Sequence, residues 1–386
     1  MQAPRPEPPQ DNWLRQPIYS AYARVDPQAI AHNLQTIRQH LGLENTTKKP
    51  LFWAVVKADA YGHGLELVLP GLHAADGLAV LTLSDAYRCR ALGWTRQILI
   101  MGGDFTDAAL SDPALYPLHL VAEHAGQLDQ LERFSGAQTP HVWLRFSGNL
   151  HHAGFQARDY QPSYARLQAL QAAGRLTGIG HLQHYAGADD AEQLAAERQA
   201  FATLTAGLPG QHCTENSAAL LSMPKAAAQT DWLRTGVALY GISPLAGVDG
   251  PGLGLEPAMA LQAPIYGVQA LKAGDSVGYH GGYRADRALR IGLLRCGYAD
   301  GYPRTAPTGC PVLVDGVKTR IVGKVSMDTL AIDLTLHPGI GPGQWATLWG
   351  TRDLPVEHIA LAAGTIAAQL LTGLTARVPR QLAGGA

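Results

Sequence analysis

The feature that most restricts what this 386-residue chain can fold into is an alternation of short apolar runs and helical stretches. The runs lie at Leu51–Val56, Leu78–Leu83, Gln97–Met101, Leu118–Val121, His141–Phe146, Gly178–Gln183, Gln211–Thr214 and Trp232–Thr235. They recur every ~20–35 residues, with helical segments such as 190–208 between most of them. Eight strands with crossover helices predict a (β/α)8 barrel. The rival, a doubly wound open sheet, lacks a GxGxxG strand–helix turn here. The glycine-rich GPGLGLEP at 250–257 is followed by no helical pattern and reads as a linker.

The flanks differ in texture. Residues 1–18 are proline-rich and polar and predict a flexible extension. A helix is marked by Asp26 as N-cap, Pro27 at its first position, the stripe Ile30, Leu34, Ile37, Leu41, and Gly42 at its end. Beyond about 250, strand-like runs (258–268, 289–296, 312–315, 319–325, 329–334, 345–349) come without intervening helices, and only the last 30 residues look helical again. The expected division is an extension at 1–18, a barrel over 19–250 and a C-terminal β-rich domain over 251–386.

Composition excludes more than it selects. Charged residues make up 16 % and glycine 43 of 386 positions, which suits a compact chain with many tight turns. A formal charge of −1 provides no field to draw nucleic acid or an acidic membrane. The N-terminus lacks the apolar run of a signal peptide, and no stretch is apolar enough to span a bilayer. Cys89, Cys213, Cys296 and Cys310 form no CxxC pair, so a reduced, cytoplasmic protein is expected rather than a disulfide framework or a cysteine-based zinc site.

Four places carry chemistry. In FWAVVKADAYGHG (52–64) an apolar strand ends in Lys57 before a glycine-punctuated turn. Barrel enzymes place their chemistry at strand C-termini, and a lysine emerging from a buried strand is partly desolvated, exposing a nucleophilic amine. Position alone leaves open a lysine that only reaches solvent. In HLQHY (181–185) the His181/His184 spacing suggests a metal. Strand alternation, however, does not put residues three apart on one face, and no carboxylate or cysteine sits at ligand spacing, so no metal is expected. Asn216-Ser217 after strand seven and Arg234-Thr-Gly236-Val237 after strand eight fit a phosphate cup of backbone N–H groups, or ordinary turns. GYADGYPR (297–304) is a tight turn bearing two tyrosines, or a plain hairpin loop.

Taken together, VVKADAYGHG (55–64), RTGVALYG (234–241), GYADGYPR and VGKVSMD (322–328) resemble the alanine racemase family, in the same order and over about residues 20–380. The resemblance implies a homodimer with composite sites that binds pyridoxal 5′-phosphate in its barrel. It implies that Lys57 holds the cofactor and serves as base on one face, with Tyr298 of the partner subunit serving the other. Tyr61, Ser217, Gly236 and Val237 match phosphate-binding positions beside Asn216. Arg234 matches the arginine at the pyridine nitrogen and His184 the histidine near the ring. Met327 and Asp328 match a loop that approaches the substrate from the other subunit. Inverting a stereocentre needs two bases on opposite faces. An arginine at the ring nitrogen donates without giving up a proton, which limits electron withdrawal and curbs side reactions such as transamination.

The chain departs from that pattern at the substrate end. His152 stands where the family has an arginine, Arg145 where it often has a carbamylated lysine, Asn149 and Leu150 where it usually has glycine and methionine, and Ala368 where it has a tyrosine. One imidazole cannot reproduce the bidentate fork of arginine on a carboxylate. The expected activity is racemisation of alanine, with His152, Tyr298, Met327 and Asp328 at the substrate. The alternatives are a paralogue acting on a bulkier amino acid and a non-catalytic cofactor carrier. A carrier has no use for a second base at Tyr298.

Overall fold

The computed structural model describes residues 20–42, 49–103 and 105–383. The extension expected at 1–18 lies outside the described residues.

Strand β1 is Tyr22–Val25. The barrel follows as β2 (Leu51–Val55), β3 (Gly77–Val80), β4 (Gln97–Ile100), β5 (Leu118–Ala122), β6 (His141–Phe146), β7 (Gly178–Gln183), β8 (Gln211–Cys213) and β9 (Trp232–Thr235). All neighbours are parallel, in the order β8-β7-β6-β5-β4-β3-β2-β9. The gap between β8 and β9 is bridged by single bonds, Asp231 N to His212 O (3.2 Å) and Arg234 N to Glu215 O (2.9 Å). The eight predicted runs are these eight strands. β3 stops at Val80, short of the predicted Leu83, because Thr82 caps the helix Leu83–Ala91. Its hydroxyl accepts from Asp85 N at 3.1 Å, and the Asp85 carboxylate reaches back to Thr82 N.

Alternation sorts the strand residues into two cores. Trp53, Val55, Ala79, Leu99, Val121, Trp143, Leu182, Cys213 and Trp232 pack together inside the barrel, with Trp53 stacked on Trp232 at 4.0 Å. Their neighbours Phe52, Ala54, Leu78, Val80, Ile98 and Ile100 face the helices. The first helix is Pro27–His40, capped by Asp26 Oδ1 at 2.8 Å from Gln28 N. Its buried Asn33 donates to Leu239 O and Glu256 O and accepts from Glu256 N, which fastens the predicted linker.

The second unit comprises β10 (Met259–Leu271), β11 (Ser276–Val277), β12 (Tyr283–Arg284), β13 (Leu289–Leu294), β14 (Pro311–Val314), β15 (Val317–Val322), β16 (Leu330–Asp333), β17 (Trp345–Trp349) and β18 (Arg380–Leu382). Its first half pairing β10 with β17 and its second half pairing β10 with β13, the long strand β10 closes a six-stranded antiparallel ring, β10-β13-β16-β15-β14-β17. β1 pairs antiparallel with β10, and β18 parallel with β1. The boundary drawn from sequence put residues 22–25 with the barrel. Their hydrogen bonds place them in the second sheet instead, since Tyr22–Val25 find their partners at Met259–Gln262. Helices Val356–Ala363 and Ala367–Thr372 supply the helical end that the sequence predicted. No helix among the described residues is long and apolar enough to cross a membrane.

Candidate active site

Period two carries the interior rows of the barrel up to its C-terminal mouth. Beyond Trp53 and Val55 comes Lys57; beyond Trp143, Arg145; beyond Leu182, His184; beyond Trp232, Arg234 and Gly236. These residues line a cavity of about 450 Å³ together with Tyr61, His152, Asn216, Ser217 and Val237. The barrel mouth therefore gathers Lys57, the predicted phosphate positions, the arginine and the histidine into one space. His181, by contrast, faces outward, stacked on Tyr164 and bonded to Tyr160 Oη at 3.0 Å. His181 within β7 and His184 just beyond its end point to opposite sides of the barrel wall, as alternation requires.

The turn after Lys57 has an unusual backbone. Ala58, Asp59, Ala60 and Tyr61 all have φ of 53–54°, one turn of left-handed helix built from residues that rarely adopt it. Each such residue costs roughly 1–2 kcal/mol. The turn is over-determined by its surroundings. Ala60 N bonds Val56 O, Gly62 N bonds Ala58 O, and Asp59 Oδ1 accepts from Leu65 N (3.0 Å) and Arg88 Nη1 (2.7 Å). From the C-terminal unit, Arg380 Nε holds Gly62 O at 3.0 Å. The turn swings the Tyr61 ring onto Tyr240 (4.8 Å), whose hydroxyl donates to Val55 O.

Facing the turn, Gly236 N donates to Ser217 Oγ at 2.9 Å. Asn216 Oδ1 caps the short helix Ser217–Ser222 through Ala219 N. Arg234 is 4 % exposed. Its guanidinium donates to Cys213 O (2.6 Å), Gln183 O (2.8 Å) and Thr214 O (3.3 Å) and lies 3.4 Å from His184 Nδ1.

Burial and like charge set the protonation states. Burial, then the Arg234 and Arg145 guanidiniums, lower the pKa of Lys57 and bring its amine closer to the neutral, nucleophilic form. Burial and the same arginines push His184 down to about 3, so its imidazole is neutral at ordinary pH. Burial pushes Tyr61 up to about 12, which keeps its phenol protonated and able to donate.

Three predicted residues do not join them. Among the described residues lining the cavity, none is Tyr298, Met327 or Asp328. Tyr298 is 37 % and Met327 52 % exposed, on two loops of the second unit joined by Tyr298 N to Ser326 O and Ala299 N to Met327 O (3.0 Å each). Asp328 pairs with Arg377 at 2.7 Å, and Arg304 lies over the Tyr298 ring at 5.3 Å. Ala368 sits in the helix Ala367–Thr372 and is also absent from the lining. Sequence reasoning gave no role to Glu123, whose carboxylate accepts from Arg145 Nη1 at 2.5 Å. The signal was available: Glu123 follows the interior Val121 by two, as Arg145 follows Trp143.

Residues 25–244 match the alanine racemase N-terminal domain and residues 258–382 the alanine racemase C-terminal domain. An alanine racemase of Bordetella petrii is 42 % identical over 366 residues, covering 93 % of this chain and 97 % of that protein. One of Acidovorax ebreus is 43 % identical over 368 residues, covering 92 % and 97 %. The crystal structure of the biosynthetic alanine racemase of Pseudomonas aeruginosa superposes with a TM-score of 0.86 at 38 % identity, covering 95 % of this chain and all of that one. The structure of the alanine racemase of Acinetobacter baumannii gives 0.85 at 30 % identity, with the same coverage. A barrel whose mouth gathers Lys57, Tyr61, His184 and Arg234, followed by a β unit that carries Tyr298, is thus matched along nearly its whole length, and the chain belongs to the alanine racemase family.

Proposed function

We propose that this chain interconverts L- and D-alanine with pyridoxal 5′-phosphate as cofactor, as a homodimer whose two sites each draw residues from both subunits. The observation that carries the reading is the division of labour within one chain. A half-buried lysine and a polar cradle share one cavity, while the tyrosine expected as second base lies outside it and is exposed.

The cavity residues fit the cofactor. At 236 the backbone has room for no side chain: a Cβ there would stand 2.7 Å from Tyr61 Oη, so the Tyr61 hydroxyl comes up beside Ser217, whose Oγ the Gly236 amide positions. Tyr61, Ser217, Gly236 and Val237, with Asn216 behind them, would hold the phosphate. Lys57 would hold the aldehyde carbon, Arg234 the ring nitrogen and His184 the ring face. Bound there, the cofactor supplies the electron sink for the charge left when the α-proton departs. The Lys57 amine, its protonated form disfavoured by burial and two arginines, moves the proton on one face of the α-carbon. The partner subunit's Tyr298 moves it on the other. Neutral His184 and carbonyl-bound Arg234 keep their protons in place and orient the ring.

Relatives of this chain named alanine racemase, at 40–43 % identity, favour alanine over a bulkier amino acid as substrate. The four cysteines are buried thiols, which suits a cytoplasmic, reducing setting. The barrel of about 19–250 and the β domain of about 251–386 are the two units of this reading, with β1 lent to the second.

The test is a mixing experiment. Lys57→Ala and Tyr298→Phe proteins, each inactive alone, are unfolded together, refolded with pyridoxal phosphate and assayed by chiral chromatography. A two-fold dimer with composite sites leaves one intact site in each hybrid, so about a quarter of wild-type activity returns. Absence of any rescue overturns the composite site, and a wild type that does not racemise alanine overturns the function.

A further inference from the structure

We infer that Arg145, braced by Glu123, is the group that receives the substrate's carboxylate, in place of the arginine missing at position 152. This rests on the racemase reading above and extends it to the substrate end of the cavity.

Arg145 is the last interior residue of β6 and Glu123 stands just beyond the end of β5, on adjacent rows of the barrel mouth. Their side chains are only 17 % and 16 % exposed. Glu123 Oε1 accepts from Arg145 Nη1 at 2.5 Å, a charge-assisted bond that anchors one end of the guanidinium. Arg145 Nε is buried and makes no hydrogen bond among the described residues. A buried, unspent donor on a braced, planar cation is expensive, unless the site is built for an acceptor that arrives from outside. Arg145 lines the same cavity as Lys57 and His184, and its charge bears on both.

The other cations of the cavity do not compete for this part. Arg234 commits both Nη atoms to the carbonyls of Cys213, Gln183 and Thr214, and its remaining donor is the one that would hold the ring nitrogen. Lys57 is needed for the cofactor. His152 also lines the cavity but is exposed, on a loop whose preceding residue His151 is left-handed (φ 53°), and one imidazole has no fork to match a carboxylate. Arg145 is therefore the cavity cation with both the geometry and the free hydrogen-bonding capacity for an α-carboxylate.

The experiment uses the wild-type holoenzyme beside Arg145→Gln, Arg145→Lys and His152→Ala. Racemisation kinetics are measured in both directions, with inhibition by propionate (alanine's carboxylate without its amine) and the cofactor's visible absorbance. For Arg145→Gln we expect KM to rise about 10- to 100-fold and propionate inhibition to weaken by a similar factor, with kcat changed much less. The cofactor spectrum should be retained. Arg145→Lys, which keeps the charge and loses the fork, falls between, and His152→Ala moves both constants less than Arg145→Gln does. The inference is overturned if His152→Ala weakens propionate more than Arg145→Gln does. It is overturned equally if Arg145→Gln lowers kcat with propionate inhibition unchanged, the behaviour of a residue that only supports Lys57. Should Arg145→Gln fail to fold, Arg145→Lys decides, and wild-type constants in that variant overturn the proposal. A wild type inactive on alanine would sink the racemase reading, while propionate's effect on the absorbance would still judge Arg145.

Discussion

The hydroxyl of Tyr61 lies against the backbone of Gly236, so close that a Cβ built at 236 would stand 2.7 Å from the phenolic oxygen. Tyr61 reaches that place through a left-handed turn at the end of β2, and Gly236, at the end of β9, is set by the hydrogen bond its N–H donates to Ser217 Oγ. Strands adjacent in the barrel but 181 residues apart in sequence thus form the two sides of one cradle.

Gly236→Ala should push the Tyr61 hydroxyl out of that cradle. We expect at least about a tenfold loss of affinity for pyridoxal phosphate, equivalent to the roughly 1.4 kcal/mol of one lost hydrogen bond to a charged group. Titration of the apoprotein followed by visible absorbance checks it. Wild-type affinity would show that this cradle does not hold the phosphate.

The left-handed turn predicts two effects of opposite sign. Gly62 has φ +79°, and a Cβ there would fall 2.2 Å from Leu371 O, so Gly62→Ala should destabilise by about 2 kcal/mol or more and loosen the helix Ala367–Thr372 from the turn. Ala58→Gly relieves a strained φ and should stabilise by up to about 1 kcal/mol. Urea unfolding of both variants tests the pair. A loss of stability in Ala58→Gly would contradict the backbone geometry.

Buried histidines should make the fold acid-labile. Burial lowers His63, His141 and His181 to about 4, so each is neutral in the folded protein while the unfolded chain takes up a proton below its ordinary value of 6.5. Stability is therefore complete above pH 6.5 and is lost as pH falls from 6.5 towards 4, each histidine contributing up to about 1.4 kcal/mol per pH unit. The urea midpoint should be level above about pH 7 and fall well before the carboxylates titrate. A midpoint unchanged from about pH 7.5 to 5 would speak against neutral burial of these rings.

Arg234 also has a structural role. Arg234→Gln withdraws donors from the carbonyls of Cys213 and Gln183 inside the barrel, and should cost about 2–4 kcal/mol of stability in the apoprotein, whatever it does to the reaction. Thermal unfolding without cofactor isolates that term. An unaltered apoprotein would show that other groups satisfy the carbonyls.

Much of this architecture can be read along the chain because period two is local. Trp53, Val55 and Lys57 share a face by spacing alone, and the same spacing sends His184 inward and His181 outward. The first helix is equally legible, since Asp26, Pro27 and its apolar stripe all act within one segment. Thr82 shows the limit of that reasoning: its cap with Asp85 ends β3 three residues early, although the apolar run continues to Leu83.

The alternation of apolar runs thus determined, unaided, the eight-stranded barrel, the β-rich unit after it and the row of side chains at the barrel mouth. The tertiary structure alone decided the rest. Tyr22–Val25 is too short to declare its partner, and its place beside Met259–Gln262 depends on a pairing more than 230 residues away. The left-handed run from Ala58 to Tyr61 contradicts the preferences of its own residues and is held by Arg88 and Arg380 from elsewhere in the fold. The Glu123–Arg145 pair exists because β5 and β6 are neighbours, and Tyr298 stands apart from its own chain's cavity because the second unit carries it elsewhere. Local periodicity chooses which way a side chain faces. Which groups then meet is set by contacts distant in sequence, whose energies no single segment contains.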